Sequence, residues 1–185
     1  MSRIENLAEQ YGRHIAMPWQ RTISGAQRII MLVYDKELER TLRARRLAFE
    51  NVTRQAGHDW YELDLTGTFA EWMAADEYRE DYFESPEDLQ LKLNAEFTAV
   101  VADRIRSLLL KPEVTADSVV ALYGVASLFG FTRISHVLKL IEHEIKGRLV
   151  VFFPGQFESN NYRLLDARDG WNYLAVPITQ HSLID

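Results

Sequence analysis

The chain contains no cysteine. That excludes a disulfide framework and any thiolate metal site, and it suits a reducing cytoplasm. Only 5 prolines and 9 glycines occur in 185 residues, too few and too scattered to mark a Pro-rich linker or a low-complexity tract. Long hydrophobic runs are also missing. The longest mostly apolar stretch, Val119 to Phe131, is too short to cross a bilayer and is interrupted by two glycines. The opening Met1-Ser2-Arg3-Ile4-Glu5-Asn6 lacks the apolar core of a signal peptide. Basic excess is lacking too, with 21 Lys and Arg against 27 Asp and Glu, a net charge of −6. Phosphate neutralisation supplies most of the affinity of a DNA-binding domain, so direct DNA binding by this chain alone is not expected.

What is present belongs to a folded protein. The hydrophobic content is 47%, with 4 Trp and 9 Phe, which is globular rather than disordered composition. At this length one domain, residues 1–185, buries roughly 70% of its unfolded surface, and no internal repeat argues for a second. Charge is segregated: Lys36, Arg40, Arg43, Arg45, Arg46 and Arg54 share one segment, while Asp76, Glu77, Glu80, Asp81, Glu84, Glu87 and Asp88 crowd another. An acidic run of that kind repels nucleic acid or docks a basic partner.

Periodicity predicts alternating strands and helices. Ile4, Leu7, Ala8 and Tyr11 form a helical stripe, and Arg28 to Tyr34 reads as a buried parallel strand. Asp35 caps a helix over roughly 36–56, which Gly57 stops. A second strand follows over Asp59 to Leu65, then a short helix from Thr66 with Phe69, Trp72 and Met73. Ser85-Pro86 starts a further helix, serine as N-cap and proline at the first helical position, ending at Lys111-Pro112. Val119 to Tyr123 and Arg148 to Phe153 are strands flanking a helix over 132–146, after which Phe-Pro-Gly breaks the chain. The loop through Asn160-Asn161 is polar; Tyr162 to Ala167 and Trp171 to Pro177 then flank Asp169-Gly170, a hairpin signal. The fold class expected is α/β, three layers, a mostly parallel sheet with helices on both faces and a C-terminal antiparallel edge hairpin, Rossmann-like or degenerate P-loop-like.

The junction at Gly124 is the most distinctive segment. A strand feeding a helix through a glycine turn has the shape of a phosphate-binding loop, in which G-x-x-x-x-G-K-[ST] supplies backbone N–H groups and a lysine. Here the residues are Gly124-Val125-Ala126-Ser127-Leu128-Phe129-Gly130-Phe131-Thr132: the second glycine comes one residue late and Phe131 stands in place of the lysine. A hydrophobic turn of this composition suits packing or docking better than a triphosphate. Gly124-Val125, Ser127-Leu128-Phe129, Phe131 and Arg133, followed by Phe152-Phe153-Pro154-Gly155 and Tyr162-Arg163-Leu164-Leu165, resemble the BrxB proteins of BREX phage-defence systems. The resemblance extends over essentially the whole chain, on structural rather than catalytic motifs. It implies membership of a restriction-like assembly containing the phosphatase-superfamily component PglZ, the adenine methyltransferase PglX and a large ATPase, which marks host DNA and blocks phage replication. No reaction and no cofactor of its own follow from it.

Familiar catalytic patterns are broken or absent. Asp35 and Asp64 fall near the carboxyl ends of two predicted strands, where open α/β sheets bind ligands; a paired-carboxylate magnesium site and a capping role are both open for them. His136 and His143 are two helical turns apart, not one, and His14, His58 and His181 are scattered. Ser127 lacks the G-x-S-x-G context of a nucleophile elbow. Arg168 lies between Asp166 and Asp169, a local ion pair, whereas Arg133 and Arg163 are open anion candidates. Trp72, Tyr78, Tyr82 and Phe83 mix aromatics with charge, as interface centres do. The expectation is therefore a non-catalytic adaptor, and the BrxB resemblance implies that it binds PglZ; the candidate surfaces are the turn with Gly124, Leu128, Phe129, Phe131 and Arg133, the acidic-aromatic segment with Trp72, Tyr78, Tyr82 and Phe83, or both, with Arg163 as a further candidate. The alternatives are an ATPase-like subunit that has lost catalysis but binds nucleotide or DNA, and a magnesium-dependent nuclease using Asp35 and Asp64.

Overall fold

Three apolar runs build the centre of a parallel sheet. In the computed structural model, which describes residues 2–77, 79–167 and 170–180, strands β1 (Ile29–Tyr34), β2 (Asp59–Asp64), β3 (Ser118–Tyr123) and β4 (Arg148–Glu158) are joined by a last strand, β7 (Val176–Thr179). Their order is β2-β3-β4-β1-β7, every neighbouring pair parallel. β1 and β3 are buried at every position because helices cover both of their faces.

The period of two along each strand divides the interior into two cores. Met31, Val33, Leu122, Val151 and Phe153 face one, beneath α7 (Thr98–Leu109) and α8 (Ile134–Ile141). Leu32, Tyr34, Tyr123, Val150 and Phe152 face the other, beneath α1 (Arg3–Ala16), α2 (Glu39–Ala44) and α3 (Arg46–Gln55). α1 forms because Ser2 and Glu5 complete a capping box ahead of the Ile4, Leu7, Tyr11, Ile15 stripe. The Tyr11 and Thr53 hydroxyls, 2.6 Å apart, tie α1 to α3. The result is the three-layer α/β fold expected.

Several elements are subdivided where one was expected. The helix over 36–56 is a 3-10 turn, Lys36–Leu38, then α2 and α3, parted at Arg45, which leaves helical geometry (φ −106°, ψ 11°). Three pieces lie between β2 and β3 before α7: α4 (Thr68–Ala75), α5 (Arg79–Glu84) and α6 (Pro86–Lys92). α6 meets α7 through a π-turn, Leu93–Phe97, so the long apolar pattern is continuous while the hydrogen bonding is not. The helix expected over 132–146 is α8 followed by a 3-10 turn, Glu142–Glu144.

The strand read as ending at Phe153 does not stop there. β4 runs through Pro154 and Gly155 to Glu158 and turns back into β5 (Asn161–Leu164) with antiparallel pairing from Glu158↔Asn161 to Gly155↔Leu164. The two-residue turn is Ser159-Asn160, both left-handed (φ 51° and 63°), which is the conformation a tight hairpin demands. β5 in turn pairs antiparallel with β6 (Trp171–Asn172). The segment Trp171 to Pro177 is therefore divided: its first two residues join β5, and Val176–Thr179 returns to lie parallel to β1. Pro177 sits on that edge strand, where its missing N–H disturbs no inner ladder. Asp169 lies outside the described residues.

Candidate functional site

The sheet reverses its winding between β1 and β4, where an open α/β sheet commonly binds its ligand. Here that position is filled. β4 continues outward past the end of β1, Asp35 and Gln180 exchange two hydrogen bonds (3.0 and 2.7 Å), and Lys36 pairs with Asp166. Asp35 and Asp64 do not share a site. The strands that carry them are separated by β4 and β3, three strand spacings or about 14 Å. Each is engaged by an arginine, Arg3 on Asp35 at 3.0 Å and Arg43 on Asp64 at 3.1 Å. Among the described residues no group of three His, Asp or Glu is placed to hold a metal ion.

The Gly124 turn is built for packing. Gly124 is left-handed (φ 74°), and a Cβ there would lie 2.3 Å from Thr66 Oγ1 and 2.6 Å from Asp64 Oδ1. Burial opposes ionisation of Asp64, but the Thr66 hydroxyl and amide and the Arg43 guanidinium together hold its carboxyl below the ordinary carboxylate range. An ionised carboxylate therefore sits against the glycine, held by Thr66 and Arg43. Ser127 donates its hydroxyl to Gly124 O at 2.6 Å, a turn-closing role. A 3-10 turn, Val125–Leu128, sends Leu128 fully into the core and leaves Phe129 48% exposed.

Beyond that turn opens a cleft of about 660 Å³. Phe129, Gly130, Phe131 and Arg133 form one side, Gln90 and Thr98 another, and Leu164, Ala167, Gly170 and Trp171 the third. Phe131 stacks on Phe69 with centroids 3.8 Å apart; Phe69 lies 6.1 Å from Trp72, and Trp72 5.1 Å from the buried Phe97. The turn after β3 and helix α4 thus share one aromatic row. A bond of 2.5 Å between the Thr98 and Thr132 hydroxyls fastens α7 to the turn. Across the cleft Trp171 is held against Tyr162 (5.1 Å) and Phe153 (5.9 Å). Arg133 and His136 are exposed at the rim, and Arg133 forms no ion pair with a described carboxylate.

The residues singled out from the sequence therefore divide. Phe129, Phe131 and Arg133 line the cleft, and Trp72 reaches it through Phe69. Gly124 and Leu128 support the turn from beneath. Arg163 alternates with buried Tyr162 and Leu164 and is exposed on the opposite face of β5. Tyr78 lies outside the described residues, as do the side chains of Tyr82 and Phe83 and the whole of Arg168. His136, Gln90 and Trp171 were not singled out for binding. Trp171 could have been, since tryptophan pairs an apolar ring with a polar N–H and is enriched at interfaces.

The family model for the BREX protein BrxB matches residues 62–178, well over half of the chain. The chain belongs to the BrxB family. The protein is thus a component of BREX phage defence, and the matched span begins inside β2 and ends inside β7, taking in every side of the cleft. No curated protein and no solved structure matches the chain. Among the described residues, no helix is long and apolar enough to cross a membrane.

Proposed function

We propose that this BrxB-family protein is a non-catalytic adaptor, folded as one domain over residues 1–185, which holds PglZ in a cytoplasmic BREX complex and so supports host DNA methylation and phage exclusion. Contact with PglX and the large ATPase follows from the same assembly. The observation that carries the reading is the cleft beside the Gly124 turn. Phe129, Phe131 and Trp171 line its sides, its rim carries Arg133 and His136, and Phe129 is held half in solvent by a turn whose base is fully packed. An apolar centre with a polar rim is the anatomy of a protein interface. A rigid aromatic anchor beside an arginine is the usual composition of its strongest contacts. The acidic segment through α5 and α6 adjoins the cleft at Gln90 and offers opposite charge to a basic partner surface.

The test is size-exclusion chromatography with light scattering on a mixture with the PglZ of the same genome. The wild-type chain is expected to co-elute. A Phe129→Asp, Arg133→Glu double variant is expected to lose the complex, with affinity reduced by more than about 30-fold, because hot-spot truncations cost about 2 kcal/mol or more each. Leu47→Asp, an exposed site on α3 away from the cleft, is expected to leave it intact. Undiminished co-elution of the double variant sinks the assignment of this cleft.

A further inference from the structure

A second cleft, of about 400 Å³, opens at the opposite edge of the sheet, where the strands begin. Arg21, Arg28, Lys146 and Arg148 line it, and the only acidic side chain among its described lining residues is Asp117. In a chain of net charge −6, this is a local reversal of sign. Arg148, the first residue of β4, is only 7% exposed. It donates to Gly147 O at 3.0 Å and Gln20 O at 3.1 Å. Arg28 likewise donates to Lys146 O at 3.0 Å and Arg21 O at 2.6 Å. None of the four cations forms an ion pair with a described carboxylate, whereas Arg3, Arg13, Arg43, Arg45, Arg54 and Arg106 all do.

Burying a guanidinium without a counter-charge is costly, and removing such charges from water is repaid only by a well-placed partner. Burial, and then repulsion from Arg28, pulls the Arg148 pKa down. Each guanidinium has five N–H donors, of which backbone carbonyls engage two. The wall opposite is rigid: the Trp19 indole stacks on His58 at 3.6 Å and lies 4.8 Å from the Arg148 guanidinium carbon. Trp19 thus already stacks on His58 and contacts a cation, which occupies ring surface that a base would need.

We propose that this cleft binds a phosphate-class oxyanion, with the Arg148 and Arg28 guanidiniums as its hydrogen-bonding donors and Arg21 and Lys146 completing the charge. The depth of Arg148 selects the form of the ligand. A free or terminal phosphate enters a recess that the continuous diester backbone of a nucleic acid spans without reaching its floor. This site is separate from the cleft assigned to PglZ, and its failure leaves that assignment untouched.

Thermal unfolding with inorganic phosphate and with pyrophosphate, each against sodium chloride at equal ionic strength, tests the proposal. Phosphate and pyrophosphate are expected to raise Tm saturably, and chloride is not. In Arg148→Met, which keeps much of the side-chain volume, the rise is expected to vanish while the protein remains folded. Arg28→Gln with Lys146→Gln reads the same site from its rim and is expected to weaken the apparent Kd at least tenfold. An equal rise in chloride, or in both variants, overturns the site. Competition with a single-stranded oligonucleotide separates the two sources of phosphate. Displacement only by the 5′-phosphorylated strand is expected, and equal displacement by the unphosphorylated strand overturns the terminal-phosphate assignment.

Discussion

Substituting Gly124 and Gly130 by alanine separates steric from conformational demand in one turn. Both glycines are left-handed, with φ of 74° and 83°. Alanine in that conformation costs about 1–2 kcal/mol at either position. The gain from stiffening the unfolded chain is common to both and cancels in the comparison. Their surroundings differ. At Gly124 the new methyl would lie 2.3 Å from Thr66 Oγ1, 2.6 Å from Asp64 Oδ1 and 2.7 Å from Thr66 N, whereas at Gly130 no atom of the described residues lies within 4 Å. Thr66 cannot withdraw cheaply, because its amide and hydroxyl both donate to Asp64, which Arg43 holds in turn. Overpacking of this kind adds about 1–3 kcal/mol. Gly124→Ala is therefore expected to lose about 2–5 kcal/mol and Gly130→Ala about 1–2 kcal/mol, the first a large fraction of a typical domain's stability. Urea denaturation followed by tryptophan fluorescence reads both, as midpoint shifts at constant slope. Equal midpoint shifts in the two variants would refute the packing account of Gly124.

Burial raises the pKa of the Tyr11, Tyr34, Tyr123, Tyr162 and Tyr173 hydroxyls, the more so where Glu39, Glu62 and Glu142 stand beside Tyr34, Tyr123 and Tyr173. The folded pKa is above the unfolded value of about 10, so this stability is complete below pH 10 and is lost as the pH rises above it. Phenolate absorbance at 295 nm from these five groups is expected to appear together with loss of the near-UV circular dichroism; reversible ionisation near pH 10 in the folded protein contradicts their burial. Phe152 meets Phe49 edge-on at 5.0 Å and stacks on Tyr123 at 4.4 Å, with 1% of its surface exposed. Phe152→Ala is accordingly expected to cost about 3–5 kcal/mol in the same urea assay, and a loss below about 1 kcal/mol would show that the α3 side of the sheet is loosely packed.

The strands β1 and β3 and the N-terminal helix were legible because each is specified by its own residues: an unbroken apolar run or a 3.6-residue stripe. The order of the strands was not, since nothing local in Ile29-Ile30-Met31-Leu32-Val33 states that β4 and β7 are its neighbours. Phe-Pro-Gly misled for a physical reason. Proline and glycine normally weaken a strand, but at 154–155 β4 exchanges its parallel neighbours for β5. Pro154 accepts there from Leu165 N at 2.9 Å, and Gly155 admits Arg163 O where a Cβ would stand 2.1 Å from it. Ser159-Asn160 carries no glycine, so the tight turn it forms was hidden; the tolerance of asparagine for left-handed backbone was the available signal. In the candidate site, the late second glycine and Phe131 were the signals that set this turn apart from the phosphate-loop pattern. The cleft itself depends on where Trp171 and Thr98 come to rest, which only tertiary contact decides.

The 11 residues of β4 have a kinetic consequence. One continuous strand carries both the parallel ladder to β1 and the antiparallel ladder to β5, so the wall bearing Leu164 is an extension of the sheet itself. A partner docking there as proposed would meet a surface already built on the sheet and would lose little ordering entropy on arrival. Encounter should then proceed in a single phase whose observed rate rises linearly with partner concentration, and changes in affinity among cleft variants should be carried by the lifetime of the complex rather than by the speed with which it forms.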